Sequence, residues 1–475
     1  MPPKLNPRVS RLAAATCALG VGAVAVSPAP AQDRPPNIVV ILADDLGWGD
    51  VGFNGQEHIR TPHLDAMAAD GIVLNRFYAG STVCMPSRCA LLTGYHMGHA
   101  TVRGNPESTF TGRPVNLGPG DVTIAAELKR AGYATAVIGK WGLAEGGDDQ
   151  GLPSRQGFDY FYGYRNHSDA HHYYPQTFWR NDEPFTLERN VAADKQGRYA
   201  HDLLTDDALR WVREQKDKPF FLYLAYTIPH YELTVPEDSK APYLTMDWPK
   251  REMNTQGHYH HDAEGNVAYA AMVSRMDRDL GRLRTLIAEL GLADDTLIVF
   301  TSNNGPGYEK TDRFFNSNGP FRGGKRILYE GGIRVPCVAV WPGKIQPGAK
   351  SDHIAAAWDL LPTACAVAGI EPTRHDLDGV SILPILTGQA PPPRQPLYWE
   401  FNEGQGPIQA VRDSDWKAVR FVVKDQVELY NLASDPGEQN DVAQAQPQIV
   451  QRMRRIMDEA RTDHPAFKLE RRVAK

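Results

Sequence analysis

The sequence predicts an α/β protein with a largely parallel sheet, followed by a compact C-terminal subdomain built on a small antiparallel sheet. Two patterns carry this prediction. Short apolar, β-branched runs alternate with amphipathic helical stretches along most of the chain, as strand–helix–strand units require. After Pro391-Pro392-Pro393, four short strand patterns follow in close succession. The composition agrees, since 42% hydrophobic and 23% charged residues in a 475-residue chain support a large core and exclude wholesale disorder. With 51 Lys+Arg against 57 Asp+Glu the formal charge is −6, so the chain lacks the basic surplus of a nucleic-acid binder. An anionic substrate would have to be held by a few placed cations.

The elements follow in order. Residues 1–31 carry Lys4, Arg8 and Arg11, then the apolar run Leu12 to Val26, then Ala29-Pro30-Ala31. This is the layout of a signal peptide cleaved near Ala31, and it implies a periplasmic or secreted protein. The run is too short to span a bilayer and no other stretch comes close, so no membrane span is expected. Cleavage would take the formal charge from −6 to −9. Strands are predicted at Asn37–Leu42, Ala134–Ile138, Phe220–Tyr226, Thr296–Phe300 and Pro336–Val340, where apolar residues run without alternation. Helices are predicted at Thr61–Asp70, Thr123–Ala131, His201–Gln215 and from about Asn266 to Leu290. The last places Ala270, Val273, Met276, Leu280, Leu283 and Ile287 on one core-facing stripe. Leu397–Glu400, Gln409–Arg412, Lys417–Val422 and Glu428–Leu432 supply the antiparallel sheet. The domain division is therefore 35–390 and 394–475, with the proline run as linker. Cys84, Cys89, Cys337 and Cys365 form no dense disulfide framework, and Cys337 and Cys365 sit in apolar, core-like contexts.

In open α/β sheets, sites form at the carboxyl ends of the strands. Four of the predicted strands deliver polar groups there: Asp44-Asp45, Lys140, His230 and Asn303-Asn304. Any one alone has an ordinary reading as a turn or cap; the set converging on one edge does not. Two carboxylates and two carboxamides form an all-oxygen donor set, which suits Ca²⁺ or Mg²⁺ over zinc, with Ca²⁺ favoured by its tolerance of irregular geometry. His258-Tyr259-His260-His261 lies in a polar stretch and reads as a solvated loop.

In Cys84-Met85-Pro86-Ser87-Arg88, Pro86 fits a first helical turn, and residues 84 and 88 would share a face. A cysteine at a helix start beside arginine has the surroundings of a low-pKa thiolate. A soft thiolate beside a hard, oxygen-ligated cation is nevertheless a chemical mismatch. Oxidation of the cysteine to an aldehyde removes it, because the hydrate offers one oxygen to the metal and another as nucleophile.

With Leu91-Leu92-Thr93-Gly94 after it, this segment resembles the Cys-x-Pro-Ser-Arg signature of the type I, formylglycine-dependent, arylsulfatase-like sulfatases. The resemblance extends through Ala43-Asp44-Asp45-Leu46-Gly47, Gly139-Lys140-Trp141, Thr301-Ser302-Asn303-Asn304-Gly305-Pro306, Gly323-Gly324-Lys325 and Tyr329-Glu330-Gly331-Gly332-Ile333-Arg334. It implies an alkaline-phosphatase-like fold, a large mixed sheet sandwiched by helices with a smaller C-terminal α+β subdomain. It implies a sulfuric ester hydrolase that needs one Ca²⁺ and a formylglycine made from Cys84 by a formylglycine-generating enzyme. By the same resemblance Asp44, Asp45, Asn303, Asn304 and the modified Cys84 would hold calcium, and Arg88 would steady them. Lys140 and Lys325 would grip the sulfate oxygens, and His230 would contact the ester and protonate the leaving alcohol.

Two departures stand out. The family often has Asp where this chain has Asn303, and often has His where this chain has Gly142. That histidine is the usual base for sulfate release, and His167, Asp169, His171 and His172 are the sequence neighbours that could replace it. The stretch from Gly157 to Tyr164, continuing through Ala170-His171-His172-Tyr173-Tyr174-Pro175, resembles bacterial sulfatases acting on sulfated galactose or N-acetylgalactosamine sugars, with His171 and His172 as substrate contacts. The rival readings are a phosphonate or phosphate ester hydrolase on the same scaffold, and a catalytically silent sulfated-glycan binder.

Overall fold

The computed structural model describes residues 34–147, 150–190, 197–250, 259, 262, 264–307, 313–403 and 406–470, with Met1, Pro3 and Lys4. The expected signal peptide lies almost wholly outside them. Ten strands form one sheet: β1 (Asn37–Ala43), β2 (Ile72–Tyr78), β3 (Ala134–Lys140), β4 (Tyr160–Tyr164), β5 (Thr177–Arg180), β6 (Glu183–Thr186), β7 (Phe220–Ala225), β8 (Thr296–Ser302), β9 (Cys337–Val340) and β10 (Ala349–Ala356). Their order is β10-β2-β9-β8-β1-β7-β3-β4-β5-β6. β1 lies in the middle, parallel to both β7 and β8, with all seven residues buried. Strands covered on both faces need no polar alternation, which is why these three read as unbroken apolar runs.

The sheet is mixed, where the strand patterns predicted a largely parallel one. β9 runs antiparallel to both β2 and β8, and β5 antiparallel to β4 and β6. An apolar run such as Cys337–Val340 carries no sign of its direction, because direction is set by how the chain returns to the sheet.

Helices cover both faces. Ile38, Val40 and Leu42 of β1 enter one apolar cluster together with α2 (Cys84–Thr93), α3 (Ile124–Arg130) and α6 (Leu360–Val367). The alternate residues Val39, Ile41 and Ala43 enter the other, with α1 (Pro62–Asp70), α4 (Ala200–Glu214) and α5 (Gly265–Glu289). The period-2 side-chain alternation of one strand thus feeds two cores. The stripe from Ala270 to Ile287 on α5 is buried, as its spacing predicts. Thr123 caps α3 by accepting the Ala126 N–H at 3.2 Å. Thr61 does not cap α1: its hydroxyl accepts the Gly52 N–H at 2.8 Å. Asp277 on α5 accepts the first-turn N–H groups of His63 and Leu64 instead, at 3.1 and 2.7 Å. Among the described residues no helix is long and apolar enough to cross a membrane. All four cysteines of the described chain are free and buried.

The antiparallel sheet consists of β11 (Leu397–Glu403), β12 (Gly406–Asp413), β13 (Trp416–Phe421) and β14 (Gln426–Asn431) in sequential order. One face carries α7 (Pro447–Glu459), whose Met453 and Met457 pack on Tyr398, Val411 and Leu429. The other face shares the main core through Trp399, Phe401, Ile408 and Ala410. A buried ionic network crosses the same boundary. Lys417 of β13 lies 3.0 Å from both Glu330 and Glu438, and Tyr78 donates its hydroxyl hydrogen to Glu330 at 2.6 Å. Burial, only partly offset by Lys417, pushes the Glu438 carboxyl up to about 7. A folded-state pKa raised above the unfolded value gives stability that is full below the unfolded value of 4.5 and is lost as pH rises through about 7. Thermal melts of wild type and Glu438→Gln should therefore diverge between pH 5 and 8, wild type losing Tm relative to the variant as pH rises; parallel curves would remove Glu438 as the titrating group.

Candidate active site

The carboxyl ends of β1, β3 and β8, the start of α2 and two loops converge on one buried point. Asp44 and Asp45 follow β1 directly. Asp45 takes a left-handed backbone (φ 65°), which Asp tolerates better than most residues, and its N–H donates to Asn303 Oδ1 at 3.0 Å. Asn303 in turn donates its amide to Asp44 Oδ1, and Asn304 donates to Asp45 Oδ1 at 2.7 Å. Lys140 closes β3. The preceding Gly139 has φ 122°, and a Cβ there would come within 1.9 Å of the Ala225 carbonyl oxygen, so only glycine lets the strand turn the lysine inward. His230 follows β7 on a loop held by Tyr173, which donates its hydroxyl hydrogen to the carbonyls of Thr227 and His230 at 2.8 and 3.1 Å.

Helix α2 is buried along its whole length and begins at Cys84. Ser87 accepts the Ser81 N–H at 2.8 Å and donates to the Asn303 carbonyl, which ties the helix start to the loop after β8. Residues 84 and 88 share the face turned to the carboxylates. Cys84 Sγ lies 3.2 Å from Asp44 Oδ1, and Arg88 Nη2 lies 3.4 Å from Asp44 Oδ2.

Three cations face two carboxylates. Lys140 Nζ is 2.8 Å from Asp44 Oδ2, and Lys325 Nζ is 2.7 Å from Asp45 Oδ2 and 3.7 Å from Cys84 Sγ. Asp44, Arg88 and Lys140 are fully buried, while the Lys325 side chain keeps 13% exposure and marks the open side. Burial works against the Asp44 charge, but Lys140 and Arg88 outweigh it and hold the carboxyl well below its ordinary range. Burial also opposes the Lys325 charge, and Asp45 more than restores it. His230 Nε2 sits 3.2 Å from Lys325 Nζ, and burial together with that lysine keeps the imidazole neutral. The Cys84 thiol is pushed up to about 11, first by burial and then by Asp44. Burial and Asp44 thus work against the low-pKa thiolate that a helix start beside arginine predicts, and favour the protonated thiol at neutral pH.

Asn304 Oδ1 is buried with no hydrogen-bond partner, directly beside Asp45. An orphaned hard oxygen among two carboxylates and a second carboxamide fits a calcium-type cation. Asp45, Cys84 and His230 also bring one oxygen, one sulfur and one nitrogen within 4.8 Å of one another.

All residues predicted for catalysis and metal binding meet here. His171 is adjacent, stacked on His230 with ring centroids 4.5 Å apart and edge-on to His167 at 4.9 Å. His172 is half-buried and pairs with Glu232 at 3.3 Å. Two residues gain a place that the sequence did not give them. A Cβ at Gly142 would lie 3.8 Å from Cα and Cβ of His167 and from Cγ of Met85, so the His167 backbone runs directly past this position. Tyr259, expected in a solvated loop, is half-buried against His171, His230 and Tyr231; the three histidines around it lie outside the described residues. Its only signal was an aromatic residue in a polar run.

Cations gathered at the carboxyl edge of an α/β sheet, around paired carboxylates, define a hydrolase of anionic esters. Residues 36–370 match the Sulfatase family, and residues 321–463 match the C-terminal region of N-sulphoglucosamine sulphohydrolase. Human Arylsulfatase A is 32% identical over 91% of this chain and 89% of its own, and mouse N-acetylgalactosamine-6-sulfatase is 31% identical over 85% and 76%. The solved structure of Ps i-CgsB in complex with k-i-k-neocarrahexaose superposes with a TM-score of 0.76 at 29% identity, covering 92% of this chain and 95% of that one. The chain belongs to the sulfatase family and hydrolyses sulfate esters.

Proposed function

We propose that this chain is an exported, calcium-dependent sulfatase that uses a formylglycine made from Cys84 and acts on sulfated carbohydrate of galactose or N-acetylgalactosamine type. The observation that carries the reading is the state of Cys84. Its sulfur sits between Asp44 Oδ1 and Lys325 Nζ at the centre of the charge cluster, where a hard oxygen suits the surrounding donors and cations better than sulfur does. Calcium and the formylglycine, once present, supply charge stabilisation and a nucleophilic oxygen at this point.

The chain's own residues do the rest. Asp44, Asp45, Asn303 and Asn304 hold the cation, and Arg88, donating to the Lys140 carbonyl at 2.9 Å, fixes the lysine while it neutralises Asp44. Lys140 and Lys325 bind the sulfate oxygens, the three cations giving the site a positive surplus that selects an anion. Bound sulfate offsets the Lys325 charge that keeps the His230 imidazole neutral, so His230 takes up a proton and passes it to the leaving alcohol, while His167, beside Gly142, accepts the proton on the sulfate-release side. The loop of His171 and His172 contacts the sugar. The relatives named for N-acetylgalactosamine-6-sulfate and the neighbour solved with neocarrahexaose support a sugar substrate. A phosphonate monoester hydrolase shares the fold with a TM-score of 0.64 at 23% identity, which keeps a phosphorus ester as the second reading.

The reading is tested on the tryptic peptide Phe77–Arg88, from protein made with an active formylglycine-generating enzyme. Its mass should show sulfur replaced by an aldehyde oxygen, and the protein should release sulfate faster than phosphate from paired aryl esters. An unmodified thiol, or faster phosphate release, overturns it. Asn303→Asp adds the formal charge the metal site lacks, so a calcium titration should give tighter binding than in wild type; equal affinities would defeat the assignment. In His167→Ala the first turnover of an aryl sulfate should keep its alcohol burst while later turnovers slow about 100-fold or more. A burst slowed as much as the steady state would place His167 elsewhere in the cycle.

A further inference from the structure

We propose that the cleft running from Lys325 to the β13–β14 turn is a second anion subsite, which takes a charged group on a neighbouring sugar and makes a polyanionic oligosaccharide the preferred substrate. The inference rests on the sulfatase reading of the adjacent site. The cleft encloses about 990 Å³ between residues 306–307 and 313–329 on one side and the edge of the antiparallel sheet on the other. That is far more room than one sulfate ester requires and close to the upper end for a small-molecule pocket. Lys325 belongs to both spaces, so the cleft is continuous with the reacting centre.

Its walls are cationic in an acidic protein. Among the described residues Arg313, Arg322, Lys325, Arg326 and Lys424 line it with one carboxylate, Glu428, while the whole chain carries a formal charge of −6. Glu428 offsets one of the five, its carboxylate accepting from the Tyr329 and Tyr430 hydroxyls at 2.6 and 2.7 Å and lying 3.9 Å from Arg322. Arg322 is held in place, its guanidinium 3.9 Å from the centre of the Tyr329 ring and donating to Tyr430 Oη and the Glu438 carbonyl at 3.0 Å each. A cation with fixed orientation binds an anion with less loss of side-chain freedom than a mobile one. Arg326 stands in the left-handed region (φ 74°), with its N–H on the Thr82 carbonyl at 3.2 Å; it pairs with Glu403 at 3.1 Å yet remains half-exposed. A non-glycine residue held there by the loop around the catalytic lysine fits strain kept for a function. Lys424 is exposed at the far end, in the β13–β14 turn. Cations on both walls of one cleft, continuous with Lys325, suit a chain that carries charge on more than one sugar.

The test uses the full, formylglycine-bearing protein, dextran sulfate hexasaccharide, unsulfated dextran hexasaccharide and 4-nitrophenyl sulfate. Lys424→Glu and the double variant Lys424→Glu/Arg326→Ser should keep wild-type kcat/KM on 4-nitrophenyl sulfate. Their Kd for the sulfated hexasaccharide should rise, by about tenfold in the double variant, and the wild-type preference over unsulfated dextran should shrink with added salt. Unchanged Kd in both variants, or equal wild-type binding of the sulfated and unsulfated sugars, overturns the second subsite while sulfate release from the aryl ester leaves the sulfatase reading intact. Loss of aryl sulfate turnover in wild-type modified protein would instead strike that reading, and the hexasaccharide measurement would still decide the cleft.

Discussion

The buried pairing of Asp44 and Asp45 with Lys140, Arg88 and Lys325 is the constraint to which the surrounding architecture answers. Charges removed from water are tolerable only when each has a close partner of opposite sign and the remaining polar atoms are hydrogen-bonded. That requirement explains why the partners come from four separate parts of the chain: the ends of β1 and β3, the second turn of α2 and the 323–325 loop. None of these segments could keep its charge buried alone. The positive surplus that remains is a binding energy reserved for an anion, and Asn304 Oδ1 is one of several buried atoms there, with Arg88 Nε and His230 Nδ1, that lack a hydrogen-bond partner.

The helix that carries Cys84 shows how local sequence and packing divide the work. Pro86 and the small residues around it allow a helix to start at residue 84, and burial of the whole of α2 fixes its face. The same burial that orients the thiol also favours its protonated form. In water, a helix start and a neighbouring arginine would lower its pKa; here the desolvation and the Asp44 charge prevail. A site so arranged needs a nucleophile that does not depend on a thiolate.

The antiparallel sheet is tied to the catalytic loops as well as to the main core. Glu330 follows the 323–329 loop and takes its charge partner, Lys417, from β13, while Arg322 reaches Tyr430 of β14. The geometry of Lys325 therefore depends on strands more than ninety residues later in the chain, and the cleft beside it has one wall from each part.

Strand positions were legible in the sequence because buried central strands must be continuous apolar runs; β1, β7 and β8 fall where those runs are, and α5 where its stripe is. The residues that gather at the sheet edge were legible too, because polar groups placed directly after such runs have few structural reasons to be there, and because the Cys84–Arg88 motif resembles a known family. Strand direction was not, since β9 runs opposite to its neighbours on a pattern that either direction would satisfy. Nor was the partner of Gly142: four residues between 167 and 172 stood equal in sequence, and only the fold of the loop puts His167 against it. The sequence by itself determined which groups reach the sheet edge, through periodicity and local chemistry. Tertiary structure alone decided which charges pair, how deeply Cys84 is buried and which histidine lies beside Gly142, because these depend on distances and burial between segments that no local pattern encodes.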